Sequence, residues 1–320
     1  MVYLGIDIGG TKSVAWLSDG DGHVLAVGRG PAGDRQDDYD VMVDVMKDIT
    51  GQALQAAGLE KSDIVSACFG ISGFDWESQR QDHLDAISQI GLDAQITLVN
   101  DTLLVLHGGS QSGSGIALIA GTGCNCMGQT ADGRFGRAVG RGFVVGEGAG
   151  AMDIVVQARY AVAAAWTLTG PQTILTERFI EHLGARDATD MIEGIVTQRY
   201  KLWTEAAPIV FEAAHAGDQV AHRLVLWSAE ALATMVFGVA RQMQVMDEEI
   251  DIITGGGFFK AGPILIEPLQ AHILAEIKGA RFVHFEAQPV IGAVLLAMRR
   301  DDLAADRIIA ARERLIQAND

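Results

Sequence analysis

Apolar residues follow two spacings along the chain, and together they predict alternating strands and helices. Three short apolar runs at the start, separated by turns rich in glycine and aspartate, predict three adjacent antiparallel strands: Val2 to Ile8, Ser13 to Ser18 and His23 to Gly28. Between Asp38 and Ala57 apolar residues recur every four positions, which predicts an amphipathic helix. A strand, a helix and another strand follow between Ile64 and Val99. The order βββαβαβ indicates a mixed sheet covered by helices.

The same pattern begins again at Gly115. Strand-like segments are predicted at Gly115 to Ala120, Cys124 to Thr130 and Arg134 to Val139, and helices dominate the rest of the chain. This echo predicts an α/β fold of two related domains with a ligand cleft between them, the second domain being rich in helices. We expect the domains at residues 1–112 and 113–300, with a hinge near 108–115. A final helix, about 301–320, could pack on the first domain.

Composition and charge narrow the function classes. The chain has 320 residues, 49% of them hydrophobic, and its 38 glycines against six prolines indicate many tight connections rather than disorder. A formal charge of −17 argues against a nucleic-acid partner, because phosphate backbones are bound by clustered Lys and Arg. A nucleotide cofactor stays compatible, since Mg²⁺ and backbone N–H groups can balance its phosphates. With no signal peptide, no spanning apolar run and no spaced cysteine framework, we expect a soluble cytoplasmic protein without a membrane partner. A homodimer is left open.

The segment from Val99 to Asn125 holds the densest candidate chemistry. Asp101 follows one apolar strand, and Gly121-Thr122-Gly123 follows the next. A carboxylate there could accept the proton of an alcohol, and a glycine turn lets backbone N–H groups approach phosphoryl oxygens. Together they indicate phosphoryl transfer from a nucleotide to a small hydroxylated substrate. The alternative interpretation is a hairpin turn at the glycines and an N-cap at Asp101.

Six segments, in order along the chain, resemble the superfamily of sugar kinases, actin and the heat-shock chaperone ATPases. More narrowly, they resemble the BadF/BadG/BcrA/BcrD ATPase family and its N-acetylglucosamine kinase members. The segments are Leu4 to Ser13, Val99 to Thr102, Ala120 to Cys126, Gly140 to Gly150, Ile253 to Phe259 and Pro289 to Ala297. The resemblance implies two ribonuclease H-like, actin-like ATPase domains with a cleft between them. It also implies an ATP- and Mg²⁺-dependent kinase of an amino sugar such as N-acetylglucosamine or glucosamine.

The resemblance also assigns roles to individual positions. Asp101 aligns with the catalytic aspartate of these kinases, and Asp7 would help to hold Mg²⁺ through water. Nucleotide-binding residues are implied in three turns: Gly9, Gly10, Thr11 and Lys12; Gly121, Thr122 and Gly123; Gly255, Gly256 and Gly257. The acceptor sugar is implied to contact Asp34, Ser72, Asn100, Asn125, Arg141, Gly142 and Glu147.

The chain departs from the family pattern on the acceptor side. Asp34 or Gly33 stands where these kinases carry an asparagine, and no aromatic residue follows. The family sequence GDEGS has one acidic residue fewer here, around Glu147, and Arg141 replaces an expected aromatic residue. An acidic Asp34 would suit an amino sugar with a free amine, so glucosamine stays open beside N-acetylglucosamine.

Two other functions are weighed against the kinase. An activator ATPase of the same broad family would drive electron transfer through an iron–sulfur cluster, which needs cysteines at a subunit boundary. Here Cys124 and Cys126 are predicted in the second phosphate loop and Cys68 in a buried strand. A non-catalytic sugar sensor usually carries a DNA-binding helix pair, whereas this sequence starts at its first strand.

Overall fold

The structure, a computed structural model, describes residues 1–33, 39–142 and 145–318. Within these ranges the strands are β1 (Val2–Ile8), β2 (Lys12–Asp19), β3 (Val24–Pro31), β4 (Ile64–Ile71), β5 (Gln95–Asn100), β6 (Gly115–Ala120), β7 (Cys124–Gln129), β8 (Phe135–Arg137), β9 (Ile250–Gly255) and β10 (Ala280–His284). The α-helices in the same ranges are α1 (Tyr39–Ala57), α2 (Arg80–Ser88), α3 (Asp101–Gly109), α4 (Ala151–Trp166), α5 (Leu175–Leu183), α6 (Ala188–Val196), α7 (Ala207–His215), α8 (Gln219–Met243), α9 (Pro263–Glu276), α10 (Val290–Arg300) and α11 (Ala305–Gln317).

The strands form two five-stranded sheets with one shared topology. The first sheet has the order β3-β2-β1-β4-β5, and the second has the order β8-β7-β6-β9-β10. In each sheet the three strands that come first in the chain pair antiparallel, and the two later strands add in parallel. The predicted fold class, two related α/β units of which the second is richer in helices, is confirmed. The domain boundaries themselves stay a prediction.

Two helices, α3 and α10, lie between the sheets. α3 packs against β4 of the first sheet and against β6 and β9 of the second, and α10 packs on α3, β1 and β4. The two helices cross closely at Gly292 of α10, where a Cβ would lie 1.9 Å from the carbonyl oxygen of Leu104. A Cβ at Gly5 of β1 would likewise lie 2.6 Å from the backbone nitrogen of Val294. Glycine is therefore required at both positions by packing.

The outer face of the second sheet is covered by α8. Among the described residues, this one helix is long and apolar enough to cross a membrane by length and composition alone. Half of its apolar segment is buried, and it packs on α7, α9, β7 and β8. The core of the second unit therefore accounts for its hydrophobicity.

The C-terminal helix α11 packs on α10 and on the turn between β2 and β3. Arg307 Nη2 lies 2.9 Å from Asp21 Oδ1, and Arg314 donates to the carbonyl oxygen of Asp21 at 2.6 Å. Gly22 lies against the same helix, because a Cβ there would be 2.5 Å from the Cα of Ala311. Helix α11 thus covers the turn of the hairpin formed by β2 and β3.

The connection between the two sheets begins at the C-terminus of α3. Arg312 donates to the carbonyl oxygens of Gly108 and Gly109 at 2.7 and 2.9 Å, so a cation satisfies the last carbonyls of the helix.

His107, in the last turn of α3, is 3% exposed, and Gln129 donates to its Nε2 at 2.9 Å, which assigns the ring proton to Nδ1. Burial, with a smaller effect of nearby Arg299, lowers the pKa of His107 to about 3.

We expect His107 to make the protein sensitive to acid. The unfolded side chain binds a proton near pH 6.5, whereas the folded one stays neutral down to about pH 3. The contribution of neutral His107 to the free energy of unfolding is therefore complete above pH 6.5. Between pH 6.5 and about pH 3 the free energy of unfolding falls by about 1.4 kcal/mol for each pH unit because of this one group. His107→Gln keeps an acceptor for Gln129 and cannot be protonated, so urea unfolding at pH 7 and pH 5 should show a smaller pH dependence in this variant.

The matched control is His222→Gln, which removes an exposed histidine of α8 and should keep the pH dependence of the wild type. An equal loss of stability on acidification in the wild type and in both variants would contradict the role of His107.

Candidate active site

The carboxyl ends of the parallel strands in the first sheet meet at one edge. Ile8 of β1 lies beside Ile71 of β4, which in turn lies beside Asn100 of β5. The residues that follow these three strand ends are Gly9, Ser72 and Asp101. Because neighbouring strands are about 4.8 Å apart, this row is about 10 Å wide. The fold thus brings the first glycine turn, Ser72 and Asp101 to one edge.

Asp101 begins helix α3, and Asn100 caps that helix. The Asn100 Oδ1 accepts the N–H of Thr102 at 3.0 Å, and its Nδ2 donates at 3.1 Å to both the carbonyl oxygen of Phe74 and the Oδ1 of Asp75. A cap of this kind stabilises a helix start by about 1 kcal/mol. Asn100 is 4% exposed, so its amide is engaged by the protein rather than open to the cleft.

The second sheet presents two glycine turns side by side. Ile119 of β6 pairs with Gly255 of β9, so the turns at 121–123 and 255–257 leave the sheet next to each other. Gly256 fixes their contact, because its φ is +107° and a Cβ would lie 2.3 Å from the carbonyl oxygen of Ala120.

Three glycines of these turns have open space beside them: Gly121, Gly123 and Gly257. A Cβ at any of them would meet nothing within 4 Å in the described part of the chain. Neither a close packing contact nor a positive φ requires glycine at these three positions. The bare backbone instead leaves room for a phosphate or a nucleoside to approach.

A cavity of about 590 Å³ lies over these turns. Gly121, Thr122 and Gly257 form part of its wall, and this size suits a nucleoside. The rest of the wall includes residues that the sequence analysis missed: Ala207, Pro208, Phe211, His215 and Lys260. Most of them lie on α7, whose sequence carries no binding motif, and only tertiary packing brings the helix here.

Helix α4 holds the second glycine turn in place. The N–H groups of Ala151 and Met152 donate to the carbonyl oxygens of Gly121 and Thr122, each at 2.9 Å. Gly150 lies directly against the turn, where a Cβ would be 2.7 Å from the backbone of Gly123. The turn is therefore rigidly fixed to a helix N-terminus, the end of a helix that favours anions.

The first glycine turn is largely exposed. The Gly9 N–H donates to the carbonyl oxygen of Lys12 at 3.1 Å, while Gly10, Thr11 and Lys12 face solvent. Asp7 lies just before this turn, and burial raises its pKa to about 6 against the opposing effect of Lys12. A cation beside Asp7 would stabilise its charged form.

The side chains near Asp7 can hold a divalent ion only in part. In the ranges that the structure describes, no group of three or more His, Cys, Asp or Glu side chains converges on one point. Mg²⁺ fits this arrangement, because it keeps several waters and commonly binds one or two carboxylates together with substrate phosphates.

Glu147 is held by the backbone of its own loop. Its two carboxylate oxygens accept the N–H groups of Val139 and Gly140 at 3.0 and 2.8 Å. Gly140 packs on the amide of Asn125, where a Cβ would lie 2.7 Å away, and the Asn125 Nδ2 donates to Asn100 Oδ1 at 3.5 Å. Three predicted acceptor residues, Asn100, Asn125 and Glu147, are thus connected across the cleft.

Arg141 is paired with a residue that the sequence analysis missed. Its Nη2 lies 2.7 Å from the Oδ2 of Asp75, which follows β4 and is 5% exposed. The positive charge expected at Arg141 is therefore compensated. Ser72, in the same loop as Asp75, donates through its backbone N–H to the carbonyl oxygen of Ile8 at 2.9 Å.

Two predicted acceptor residues remain, Gly142 and Asp34. Gly142 adopts a φ of +56° and accepts the Glu147 N–H at 3.0 Å, so it shapes the loop that carries Glu147. Asp34 lies outside the described residues.

The cysteines are buried and protonated. Burial raises the pKa of the Cys124 thiol to about 11, and it raises the pKa values of Cys68 and Cys126 as well. The Cys124 Sγ lies 3.7 Å from the Sδ of Met235. None of the three cysteines presents an accessible thiolate, so they suit packing rather than ligation of a cluster.

The profile of the BadF/BadG/BcrA/BcrD ATPase family matches residues 4–297, which is almost the whole chain. Two curated relatives match over similar lengths. The N-acetyl-D-glucosamine kinase of Dictyostelium discoideum is 25% identical over 314 residues, which cover 93% of this chain and 98% of the relative. The N-acetylmuramic acid/N-acetylglucosamine kinase of Clostridium acetobutylicum is 26% identical over 304 residues, which cover 93% and 99% of the two chains.

A solved structure from Chromobacterium violaceum, provisionally assigned as an N-acetylglucosamine kinase, has the same fold. Its TM-score to this chain is 0.73 at 23% identity, and the match covers 92% of this chain and 98% of the other. This likeness shows that the two proteins share a fold.

We expect Gly257→Ala to weaken ATP binding without lowering stability. The added Cβ would touch no described atom of the protein within 4 Å and would project into the space over the turn. Isothermal titration with ATP should give a Kd raised about tenfold, a loss of about 1.4 kcal/mol. The thermal unfolding midpoint should stay at the wild-type value.

The contrasting variant is Gly256→Ala, whose Cβ would strain φ and collide with Ala120. It should unfold at a lower temperature. Wild-type ATP affinity in Gly257→Ala would remove this turn from the nucleotide site.

Proposed function

Because the chain belongs to the BadF/BadG/BcrA/BcrD ATPase family, we propose that it is an ATP-dependent kinase whose acceptor is an amino sugar of the N-acetylglucosamine type. The names of both curated relatives, which match along nearly their whole lengths, support this reaction and this acceptor class. A cytoplasmic location stays a prediction.

One observation carries the proposal, and it is the approach of Asp101 to the glycine turns of the second sheet. The cap of Asp101's helix, Asn100, contacts Asn125, and Cys124 beside Asn125 pairs with Ala120 at the start of the 121–123 turn. The end of β5, where Asp101 begins helix α3, therefore lies beside the strand that follows the 121–123 turn, and we infer that the Asp101 carboxylate faces the backbone of that turn. Phosphoryl transfer needs such an arrangement, because most of its catalysis comes from positioning and charge stabilisation.

In the proposed reaction, Asp101 accepts the proton of the acceptor hydroxyl as that oxygen bonds to the γ-phosphorus and ADP leaves. The transition state of phosphoryl transfer is loose, so the carboxylate mainly orients and polarises the hydroxyl. The glycine turns at 9–12 and 121–123 bind the phosphates through N–H groups, and the turn at 255–257 with α7 encloses the nucleoside. Asn100, predicted to contact the sugar, also caps the helix that begins with Asp101 and so supports Asp101 from behind.

We propose that Asp7 helps to hold the metal ion in this reaction. Bound Mg²⁺ would neutralise charge on the β- and γ-phosphates. Asp7 lies at the end of β1, where burial raises its pKa to about 6 against the opposing effect of Lys12, and a bound cation would favour its charged form. Lys12, exposed in the adjacent turn, adds a positive charge next to the phosphate path.

The acceptor is proposed to lie between Asp101 and the loop of Glu147. Each Glu147 oxygen accepts one backbone N–H and keeps a further lone pair for a sugar hydroxyl. Asn125 and Ser72 lie at the facing sheet edges. A comparison of rates with N-acetylglucosamine and glucosamine distinguishes an acetylated amine from a free amine on the sugar.

We expect Asp101→Asn to abolish most turnover and to keep ATP binding. Loss of the proton acceptor should lower kcat by about 10²–10⁴-fold. The assay is coupled ADP release with Mg-ATP against N-acetylglucosamine, glucosamine, N-acetylmuramic acid and glucose. Titration of the variant with ATP should give a Kd near that of the wild type.

The control is Asp132→Asn, in the exposed turn between β7 and β8, which should leave kcat unchanged. A near-normal kcat in Asp101→Asn would exclude Asp101 from the chemistry. Wild-type protein that releases no ADP in response to any of these acceptors would overturn the kinase proposal.

Asp7→Asn should raise the concentration of Mg-ATP needed for half-maximal rate by about tenfold, because a residue that supports a metal through its solvent shell contributes that much to affinity. The measurement is a titration of Mg-ATP at saturating acceptor. Asp93→Asn, on the exposed connection before β5, serves as the control. An unchanged titration curve in Asp7→Asn would place the metal elsewhere.

A further inference from the structure

We infer that Asp75 is a positioning residue. It couples the acceptor loop of the second unit, which carries Arg141 and Glu147, to the helix that begins with Asp101. The inference rests on the proposed function, because it concerns how the transfer site is assembled. Asp75 lies outside the six segments that resemble the family, and its role follows from its contacts.

The Asp75 carboxylate bridges the two units. Its Oδ2 lies 2.7 Å from Arg141 Nη2 of the acceptor loop, and its Oδ1 accepts the Asn100 amide at 3.1 Å. Asn100 in turn accepts the Thr102 N–H at the first turn of α3. The charge of Arg141 on the second unit is therefore connected through the Asp75 side chain to Asn100, the residue that precedes Asp101.

A second contact crosses the cleft beside the first. The guanidinium of Arg137, on β8, lies over the ring of Trp76 with 5.1 Å between the Arg137 Cζ and the ring centroid. Cation–π contacts of this kind are favourable even where the ring is partly exposed. The loop at 72–76 thus meets the second unit through both Asp75 and Trp76, while its start is bonded to β1 at Ile8.

Burial makes the Asp75–Arg141 pair sensitive to the loss of either partner. The side chain of Asp75 is 5% exposed and that of Arg141 is 25% exposed. When one partner of a buried pair is removed, the other charge is left without compensation, whereas removal of both is tolerated better. The pair also requires the two units to be close together, so it favours the closed cleft in which Asp101 and the acceptor loop face one substrate.

The test is a double-mutant cycle with Asp75→Asn, Arg141→Gln and the double variant. Each single substitution should lower kcat by about 10- to 100-fold, the effect of misplacing a catalytic group by about 1 Å, while the KM for Mg-ATP stays within about twofold. The double variant should be no slower than the poorer single variant, because the two residues act as one unit.

One further variant and one control pair separate positioning from folding. Arg141→Lys keeps a cation for Asp75 and should recover part of the kcat that Arg141→Gln loses. The control pair is Asp251 with Arg281, 2.8 Å apart at the opposite end of β9 from the glycine turn, and its cycle should leave kcat unchanged. Thermal unfolding of every variant identifies any that fails to fold, in which case the Arg141→Lys and Arg141→Gln comparison carries the test.

Amide hydrogen exchange at Thr102 supplies a readout that needs no turnover. Asp75→Asn and Arg141→Gln should both speed exchange at this amide, since the Asn100 cap is no longer fixed from behind. If wild-type protein phosphorylates none of the acceptors, the proposed function fails, yet the exchange data still test the coupling.

Two results would overturn the inference. One is a double variant whose loss in kcat is the product of the two single losses, with unchanged exchange at Thr102. The other is an Arg141→Gln variant that changes only the KM for the acceptor while Asp75→Asn behaves as the wild type, because Arg141 would then read the sugar directly.

Discussion

The packing of α3 between the two sheets is the constraint on which the site depends. This nine-residue helix contacts β4 on one side and β6 and β9 on the other, and α10 presses against it at a glycine that admits no side chain. Asp101 is the first residue of α3, so its position is set by both units at once. A helix too short to be stable alone gains its order from this burial. Any relative movement of the sheets must therefore change what surrounds Asp101.

Around that helix, most polar side chains of the cleft are already engaged. Asn100, Asn125 and Glu147 bond to backbone groups or to each other, and Asp75 pairs with Arg141. Groups held in this way lose little further freedom when a substrate arrives, which favours catalysis by positioning. The backbone at Gly121, Gly123 and Gly257, by contrast, has open space beside it. The cleft thus combines fixed side chains around the start of α3 with bare backbone at the glycine turns of the second sheet.

The sequence predicted the site best where residues that act together are also close together in the chain. The strands, the glycine turns that end them and the duplicated topology could be predicted, because each turn directly follows its strand. The wall that α7 gives to the nucleoside cavity could not be predicted, since residues such as Phe211 reach it only through helix packing. Asn100 matched an acceptor position by resemblance, yet its side chain acts as a helix cap. The exact end of a helix is equally hard to predict: α8 ends at Met243, because Gln244 takes a left-handed φ of +59°.

A chain with a net charge of −17 can still offer local groups that favour one anion. Lys12 lies in the first glycine turn and Lys260 lines the cavity over the turns of the second sheet, so each region has a cation of its own. The N-terminus of the 16-residue helix α4 adds aligned peptide dipoles behind Gly121 and Thr122. Surface charges more than about 10 Å away are largely screened at ordinary ionic strength. The acidic surface therefore disfavours polyanionic partners such as nucleic acid, while the cleft, with its short-range donors, stays suited to one small anion.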